Sequence, residues 1–260
     1  KEKPEYFRQS LKSALDQTVK VKEIVLILDG PITTELQNVI IDFKKSNLEV
    51  LKVVPLDTNV GLGKALAIGV EVCKFDLIAR MDTDDIMLPD RIEKQYSEFS
   101  NDPELTIVGS NIDEFYDSPE SIVGRRIVPE TNEKIRDFSK RRNPFNHMTV
   151  MFKKDAVLEV GNYQPMMGFE DYYLWVRLLR AGFKGKNIQE SLVYARTGED
   201  MYARRGGKNY FVNGLKGRKA IYRSGLGSLT DYLVSCSAHI IVSLLPNKIR
   251  GQVYERKLRK

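Results

Sequence analysis

Short apolar runs alternate with segments of helical period through the first hundred residues, and this alternation constrains the fold more than any other feature of the chain. Phe7, Leu11, Ala14 and Leu15 share one face of Glu5–Gln17, which predicts an amphipathic helix with Pro4 suited to its first turn. Glu23–Asp29 (EIVLILD) reads as a buried strand that ends in an acid and Gly30. Helical spacing returns over Thr33–Lys45. A strand follows at Leu48–Val54, a helix at Leu62–Cys73, a strand at Asp76–Met81 and a helix from Pro89 to Ser100. Leu105–Ser110 is a further strand, with Ile112–Tyr116 a candidate for another. Such alternation predicts an α/β fold, a mostly parallel sheet flanked by helices. Ligands in such sheets sit beyond the C-terminal strand ends. Two strand ends here carry acids: Asp29, and the cluster Asp82, Asp84 and Asp85.

The second half is read more coarsely. Ser118–Asn143 is polar and basic, a loop with a helix near Asn132–Lys140. An apolar stretch follows at Thr149–Phe152. Tyr172, Trp175, Val176 and Leu179 then share a face of the helix Gly168–Ala181. Gly207–Tyr222 is helical in pattern, and Leu229–Leu245 is apolar but contains Asp231 and His239. A membrane span needs about 20 mostly apolar residues, so this segment is too short and carries an acid. The next fifteen residues hold Lys248, Arg250, Arg256, Lys257, Arg259 and Lys260 against Glu255. An apolar helix followed by a basic tail predicts a segment lying on an anionic membrane surface; the alternative is a helix packed on the domain with a solvated end. The expected division is a catalytic domain at 1–200 and a helical, basic segment at 201–260.

Most of the net charge of +6 belongs to that tail. The body is nearly neutral, so no nucleic-acid partner is expected. The only cysteines are Cys73 and Cys236, which supports neither a zinc site nor a disulfide framework and fits a cytoplasmic setting. With 42% hydrophobic and 29% charged residues, disorder is excluded. The opening KEKPEYF has no apolar leader, so no signal peptide is read.

Three segments carry chemistry. In RMDTDD (Arg80–Asp85) an apolar strand runs directly into three acids. Neighbouring carboxylates raise one another's pKa, and a divalent cation relieves that, with Mg²⁺ or Mn²⁺ suited to hard oxygen ligands. Helix capping would explain one acid, not three. Glu170-Asp171 opens the later helix, where the dipole favours acids and keeps a general base ionised. Asn59–Gly69 (NVGLGKALAIG) nearly matches a dinucleotide fingerprint, but Leu66 replaces its third glycine. A glycine turn at a helix start with Lys64 still suits phosphate.

Taken in order, EIVLILDG, NVGLGKALAIGV, RMDTDD, NHMTVMFKKDAVLEVGNY and FEDYYLWVRLLRAG resemble the family 2 glycosyltransferases of the GT-A (Rossmann-like) fold, particularly bacterial enzymes that build capsule, O-antigen or exopolysaccharide units. The resemblance spans about residues 1–200. It implies that Asp29 contacts the nucleotide base and that Asp82 and Asp84, the DxD acids, meet ribose and metal–diphosphate with Asp85 beside them. It also implies a basic contact at Lys64, Asp171 as catalytic base, and Glu170 orienting it or touching the acceptor. Trp175 is expected to pack rather than react. The family's opening strand and base-lining turn would precede Lys1. A late histidine common in relatives is replaced by Arg196-Thr197-Gly198, so metal would rest on aspartates and phosphates, with Arg196, Arg204 and Arg205 neutralising diphosphate. His147 is read either as an acceptor or diphosphate contact or as a structural hydrogen bond, and His239 as structural or interfacial.

The function implied is inverting, metal-dependent transfer of a sugar from a UDP-sugar to a lipid-linked (polyprenyl diphosphate) saccharide. The enzyme would be peripheral on the inner face of the cell membrane. The alternatives are a nucleotidyltransferase of similar fold and a non-catalytic nucleotide-sugar-binding protein.

Overall fold

The computed structural model describes residues 2–198 and 207–244. The N-terminal third follows the predicted alternation closely. α1 (Pro4–Leu15) packs Phe7 and Leu11 against α2 (Thr34–Ser46) and the parallel pair β1 (Ile24–Asp29) and β2 (Leu51–Leu56). Leu26, Leu36, Val39, Ile40 and Leu51 complete this core. Pro4 sits in the first turn of α1, and Thr33 caps α2 by accepting from the Leu36 N–H. α3 (Leu62–Val72) returns over β1, so the glycine turn before it lies at the C-terminal ends of β1 and β2.

A second, six-stranded sheet runs in the order β3 (Leu77–Ala79), β7 (Met151–Lys153), β5 (Leu105–Phe115), β8 (Lys184–Arg196) and β4 (Ile86–Met87), with β6 (Ile122–Arg126) also paired to β5. One face packs on α4 (Arg91–Asn101) through Ile92 and Phe99. The other face packs on α7 (Glu170–Arg180), whose Leu174, Trp175, Leu178 and Leu179 join Phe145, Phe152 and Val157 in the largest core. α6 (Lys154–Glu159) closes this core's rim, and Ile135 of α5 (Asn132–Phe138) is buried in it. Trp175 is fully buried among Phe145, Phe152, His147 and Tyr163, a packing residue as expected.

The α/β class with flanking helices holds; the mostly parallel sheet does not. Among the described residues only β1–β2 and β5–β8 pair in parallel, whereas β3–β7, β5–β7, β4–β8 and β5–β6 are antiparallel. Strands alternating with helices predict parallel pairing through crossover helices, but β4, β6 and β7 are short strands of two to five residues that pair antiparallel instead. β8, the longest strand, was not anticipated, and β5 is one strand where a strand and a candidate second were read.

At the C-terminus α8 (Gly207–Arg223) and α9 (Leu229–Leu244) form an antiparallel hairpin on α7. Ile221 packs with Tyr172 and Val176. A Cβ at Gly217 would fall 2.4 Å from the Phe169 ring, so this close approach requires glycine. α9 is oriented inside out. Asp231, Ser235, Cys236 and His239 are buried against the protein, while Leu229, Leu233, Val234 and Ile241 are exposed, Ile241 to 61%. Among the described residues, no helix is long and apolar enough to cross a membrane.

Candidate active site

β3 ends at Ala79, and the backbone turns through Arg80–Asp85 before the two-residue strand β4. α4 begins only at Arg91, with Asp90 at its N-cap, so none of the three acids caps it. Their environments differ. Asp82 is held bidentately by Arg80, with Nη1 donating to Oδ2 at 2.7 Å and Nη2 donating to Oδ1. Asp85 is 2% exposed; its Oδ1 accepts the Arg196 N–H at 2.7 Å and its Oδ2 is buried without a partner. Asp84 is half-buried, and burial followed by the Asp82 charge pushes its carboxyl up to about 6. Burial and the same neighbouring acids raise Asp85 as well.

This site fits a cation in part. Two carboxylates disfavoured as anions and one orphaned buried oxygen would gain from positive charge. Among the described residues, however, no three acidic, histidine or cysteine side chains gather as a metal cage. Of the expected set Asp82, Asp84 and Asp85, Asp82 is engaged by Arg80, which leaves Asp84 and Asp85 as the two without such a partner.

The second acidic group opens α7. Asp171 is half-buried; its Oδ2 accepts the Asn143 side-chain N–H at 2.6 Å. Burial raises its pKa, opposed by the Tyr172 backbone N–H, by Asn143, and by the charges of Arg80 and Arg126. Glu170 is 9% exposed and also raised by burial, while the backbone N–H groups at the helix start, its own included, act to lower it. A Cβ on Gly63 would lie 3.0 Å from Glu170 Cγ and 2.9 Å from the Gln164 carbonyl. Glu170 is thus wedged between the helix start and α3.

Arg80 joins the two acidic groups. It is 8% exposed, binds Asp82, and interacts electrostatically with Asp171 and Tyr163. Its carbonyl accepts from the wholly buried Arg91, which Gln95 orients through Arg91 Nε at 3.0 Å. Arg80, Asn143 and Arg91 were not predicted as functional. Arg80 stood inside a motif read for its acids, and nothing local marks Asn143 or Arg91.

Other expected residues are placed as follows. Asp29 Oδ1 and Oδ2 accept the Val60 and Gly61 N–H groups at 2.6 and 3.1 Å, so this acid braces the glycine turn. Lys64 stands exposed on the first turn of α3. His147 bonds the Tyr163 hydroxyl at 3.0 Å beside Trp175, and burial holds its pKa well below the usual histidine value; this is the structural alternative. Arg196 stacks on Tyr6 and Phe115 and donates to Gln9 and to the Asp84, Tyr116 and Asp117 carbonyls, bracing the acid loop rather than facing outward. Arg204 and Arg205 lie outside the described residues.

Comparison with known proteins bears on this geometry. The model of glycosyl transferase family 2 matches residues 1–160. The chain is 38% identical to the amylovoran biosynthesis glycosyltransferase AmsE of Erwinia amylovora, over 98% of this chain and 95% of the relative. It is 35% identical to the UDP-Gal:alpha-D-GlcNAc-diphosphoundecaprenol beta-1,3-galactosyltransferase of Escherichia coli, over 100% and 94%. The fold resembles the mannosyltransferase PcManGT of Pyrobaculum calidifontis, solved with GDP-Man and Mn²⁺, with TM-score 0.59 and 12% identity over 100% of this chain and 85% of that one.

Proposed function

The chain belongs to glycosyl transferase family 2, and from that premise we propose that it moves a sugar from a UDP-sugar to a saccharide carried on a polyprenyl diphosphate, with inversion at the anomeric carbon. The observation that carries this reading is Arg80, one buried cation bound to Asp82 of the strand-end acids and acting on Asp171 through its charge. Leaving-group chemistry and base chemistry thereby fall at a single site.

Asp84, with Asp85 behind it, would hold Mn²⁺ or Mg²⁺ together with the donor diphosphate. When bound, such a cation supplies Lewis-acid neutralisation of the departing UDP. Asp29, at the end of β1 against the glycine turn, and Lys64, on α3, would serve the nucleotide side. Asp171 accepts the proton of the attacking acceptor hydroxyl; Asn143 fixes its Oδ2, and Arg80 and Arg126 favour its ionised form. One base on one face gives a single displacement and an inverted product. This borrows the logic of inverting glycosidases.

The lipid-linked acceptor is supported by the C-terminal hairpin. Its outward stripe of Leu229, Leu233, Val234 and Ile241, followed by the basic residues of 246–260, suits an anionic membrane surface. We place the enzyme peripherally on the cytoplasmic face, with 1–200 catalytic and 201–260 membrane-associating. The test is incubation with UDP-sugars and GlcNAc-diphosphate-lipid, reading the product's anomeric configuration by NMR. A β product from an α donor supports the reading, whereas retained configuration contradicts it.

A further inference from the structure

α1 presents two different faces to the rest of the molecule. Phe7 and Leu11 join the core shared with α2 and β1. The adjoining face is polar: Tyr6, Gln9, Ser10 and Ser13 recur at helical spacing, and Gln17 follows two residues past the helix end. Ser10 is 5% exposed and Gln17 is wholly buried. Their partners are the backbone groups of 82–92. Ser10 Oγ donates to the Asp82 carbonyl at 2.9 Å, and Ser13 Oγ accepts the Met87 N–H at 3.1 Å. Gln17 Nε2 donates to the Leu88 carbonyl at 2.8 Å, while its Oε1 accepts the Ile92 N–H at 3.0 Å. Gln9 Oε1 accepts Arg196 Nη2 at 2.7 Å, and the same guanidinium stacks on the Tyr6 ring. Arg196 Nε in turn donates to the Asp84 carbonyl at 3.0 Å. The carbonyls on either side of Thr83 are therefore both tied to α1, one directly and one through Arg196.

Regular secondary structure gives this segment little support. β3 ends at Ala79, β4 has two residues and α4 starts only at Arg91. The acids it carries repel one another, which favours a loop that spreads. Apolar contacts would bury the facing surface of α1 equally well but would let the loop slide. Hydrogen bonds to its carbonyls and N–H groups fix it in register instead. We infer that the polar face of α1 positions the acid loop, with Ser10 acting on the Asp82 carbonyl and Gln9 acting through Arg196 to aim the Asp84 carboxylate at the metal–diphosphate. This role rests on the reading of Asp84 as the acid that holds the cation with the donor. Ser10 and Gln9 are positioning residues: neither touches the reacting atoms, and each works through the main chain of the loop. Ser13 and Gln17 anchor the far end of the same segment, where it leads into α4. One helix thus serves both the nucleotide-side core, through Phe7 and Leu11, and the acids, through the residues between them.

The test is calorimetric titration of UDP, with and without Mn²⁺, into the full chain and three variants, with melting temperatures measured on the same preparations. Ser10→Ala removes the bond to the Asp82 carbonyl, and Gln9→Leu removes the acceptor that orients Arg196. Each is expected to lose about threefold to tenfold of the Mn²⁺-dependent gain in UDP affinity, while metal-free UDP binding and melting temperature stay close to wild type. Leu11→Val, on the core face of the same helix, is expected to do the reverse, lowering the melting temperature and keeping the gain. Polar-face variants that keep the full gain overturn the positioning role, as do variants that lose metal-free binding in the same proportion. A Leu11→Val protein that loses the gain as the polar-face variants do also overturns it, because helix stability alone would then account for the effect. A wild type whose UDP affinity ignores Mn²⁺ breaks the donor reading itself, and the positioning role with it, before any variant is compared.

Discussion

The two acidic groups of the site solve the same electrostatic problem differently. At the end of β3, Asp84 and Asp85 are raised first by burial and then by the charge of Asp82, and one Asp85 oxygen has no partner. At the start of α7, Asp171 is also raised by burial, but a backbone N–H, Asn143 and two arginines oppose the shift. The first group leaves a buried oxygen without a partner and would gain from an added cation. The second is already solvated by the protein and can stay ionised while remaining reactive. Carboxylates of the same kind thus meet different electrostatic fates, decided by what surrounds them.

The largest expected effect comes from removing the cation the groups share. Arg80→Leu leaves Asp82 unpaired and withdraws a favourable field from Asp171. Breaking such a pair is expected to destabilise by about 2 kcal/mol, at the low end because Asp82 is roughly a third exposed, and to lower transfer severely at saturating substrate. Calorimetric melting and kcat measure the two, and a variant of normal stability and rate would show that the groups are independent. Gly63→Val is next. Its side chain must displace Glu170 or the Gln164 carbonyl, so kcat should fall at least tenfold; an unchanged kcat would show that the seam does not position α7.

Asn143→Ala sharpens the comparison further. Its amide lowers the Asp171 pKa, so its loss should move the acid limb of the kcat profile upward and reduce the plateau about tenfold. In the wild type, transfer should already fall on acidification above the ordinary aspartate value of about 4, since Asp171 must be ionised and burial raises it. A limb that does not move in the variant would assign the base elsewhere. The smallest effect concerns the hairpin. Ser228 and then Arg141 hold Asp231 down to about 2. A lowered folded-state pKa contributes stability above the unfolded value, lost as pH falls through about 2. Asp231→Asn should therefore increase hydrogen exchange in α9 at neutral pH with little change in overall melting; unchanged exchange would mean that the pair does not hold the hairpin.

Much of the donor half was legible because local signals dominate there. β1, α2, α3 and α7 follow from periodicity, and Asp82, Asp84 and Asp171 stand at element ends that a sequence displays. β8 escaped because its buried apolar residues Ile188, Leu192, Val193 and Ala195 are interrupted by Gln189, Glu190 and Ser191 and preceded by Lys184, Lys186 and Asn187, along a strand whose burial comes from tertiary cover. The role of Arg80 escaped because its partners Asp82 and Asp171 lie at positions that only folding brings together. Arg196 was read, through the resemblance, as a diphosphate contact in place of a late histidine; its stacking on Tyr6 and its bond to Gln9 of α1 join positions far apart in the chain that no local pattern connects. The inside-out character of α9 is likewise invisible in an apolar run until the packed face is known.

The division of labour between the two acidic groups is tested most directly by one paired measurement. UDP is titrated with Mn²⁺ into Asp84→Asn and Asp171→Asn, and sugar transfer is measured on the same preparations. The account predicts that Asp84→Asn loses metal-dependent UDP binding. Asp171→Asn should bind UDP as the wild type does and transfer sugar roughly 10²–10⁴-fold more slowly. An Asp171→Asn protein that still transfers at the wild-type rate, or an Asp84→Asn protein whose UDP binding still responds fully to Mn²⁺, would contradict it.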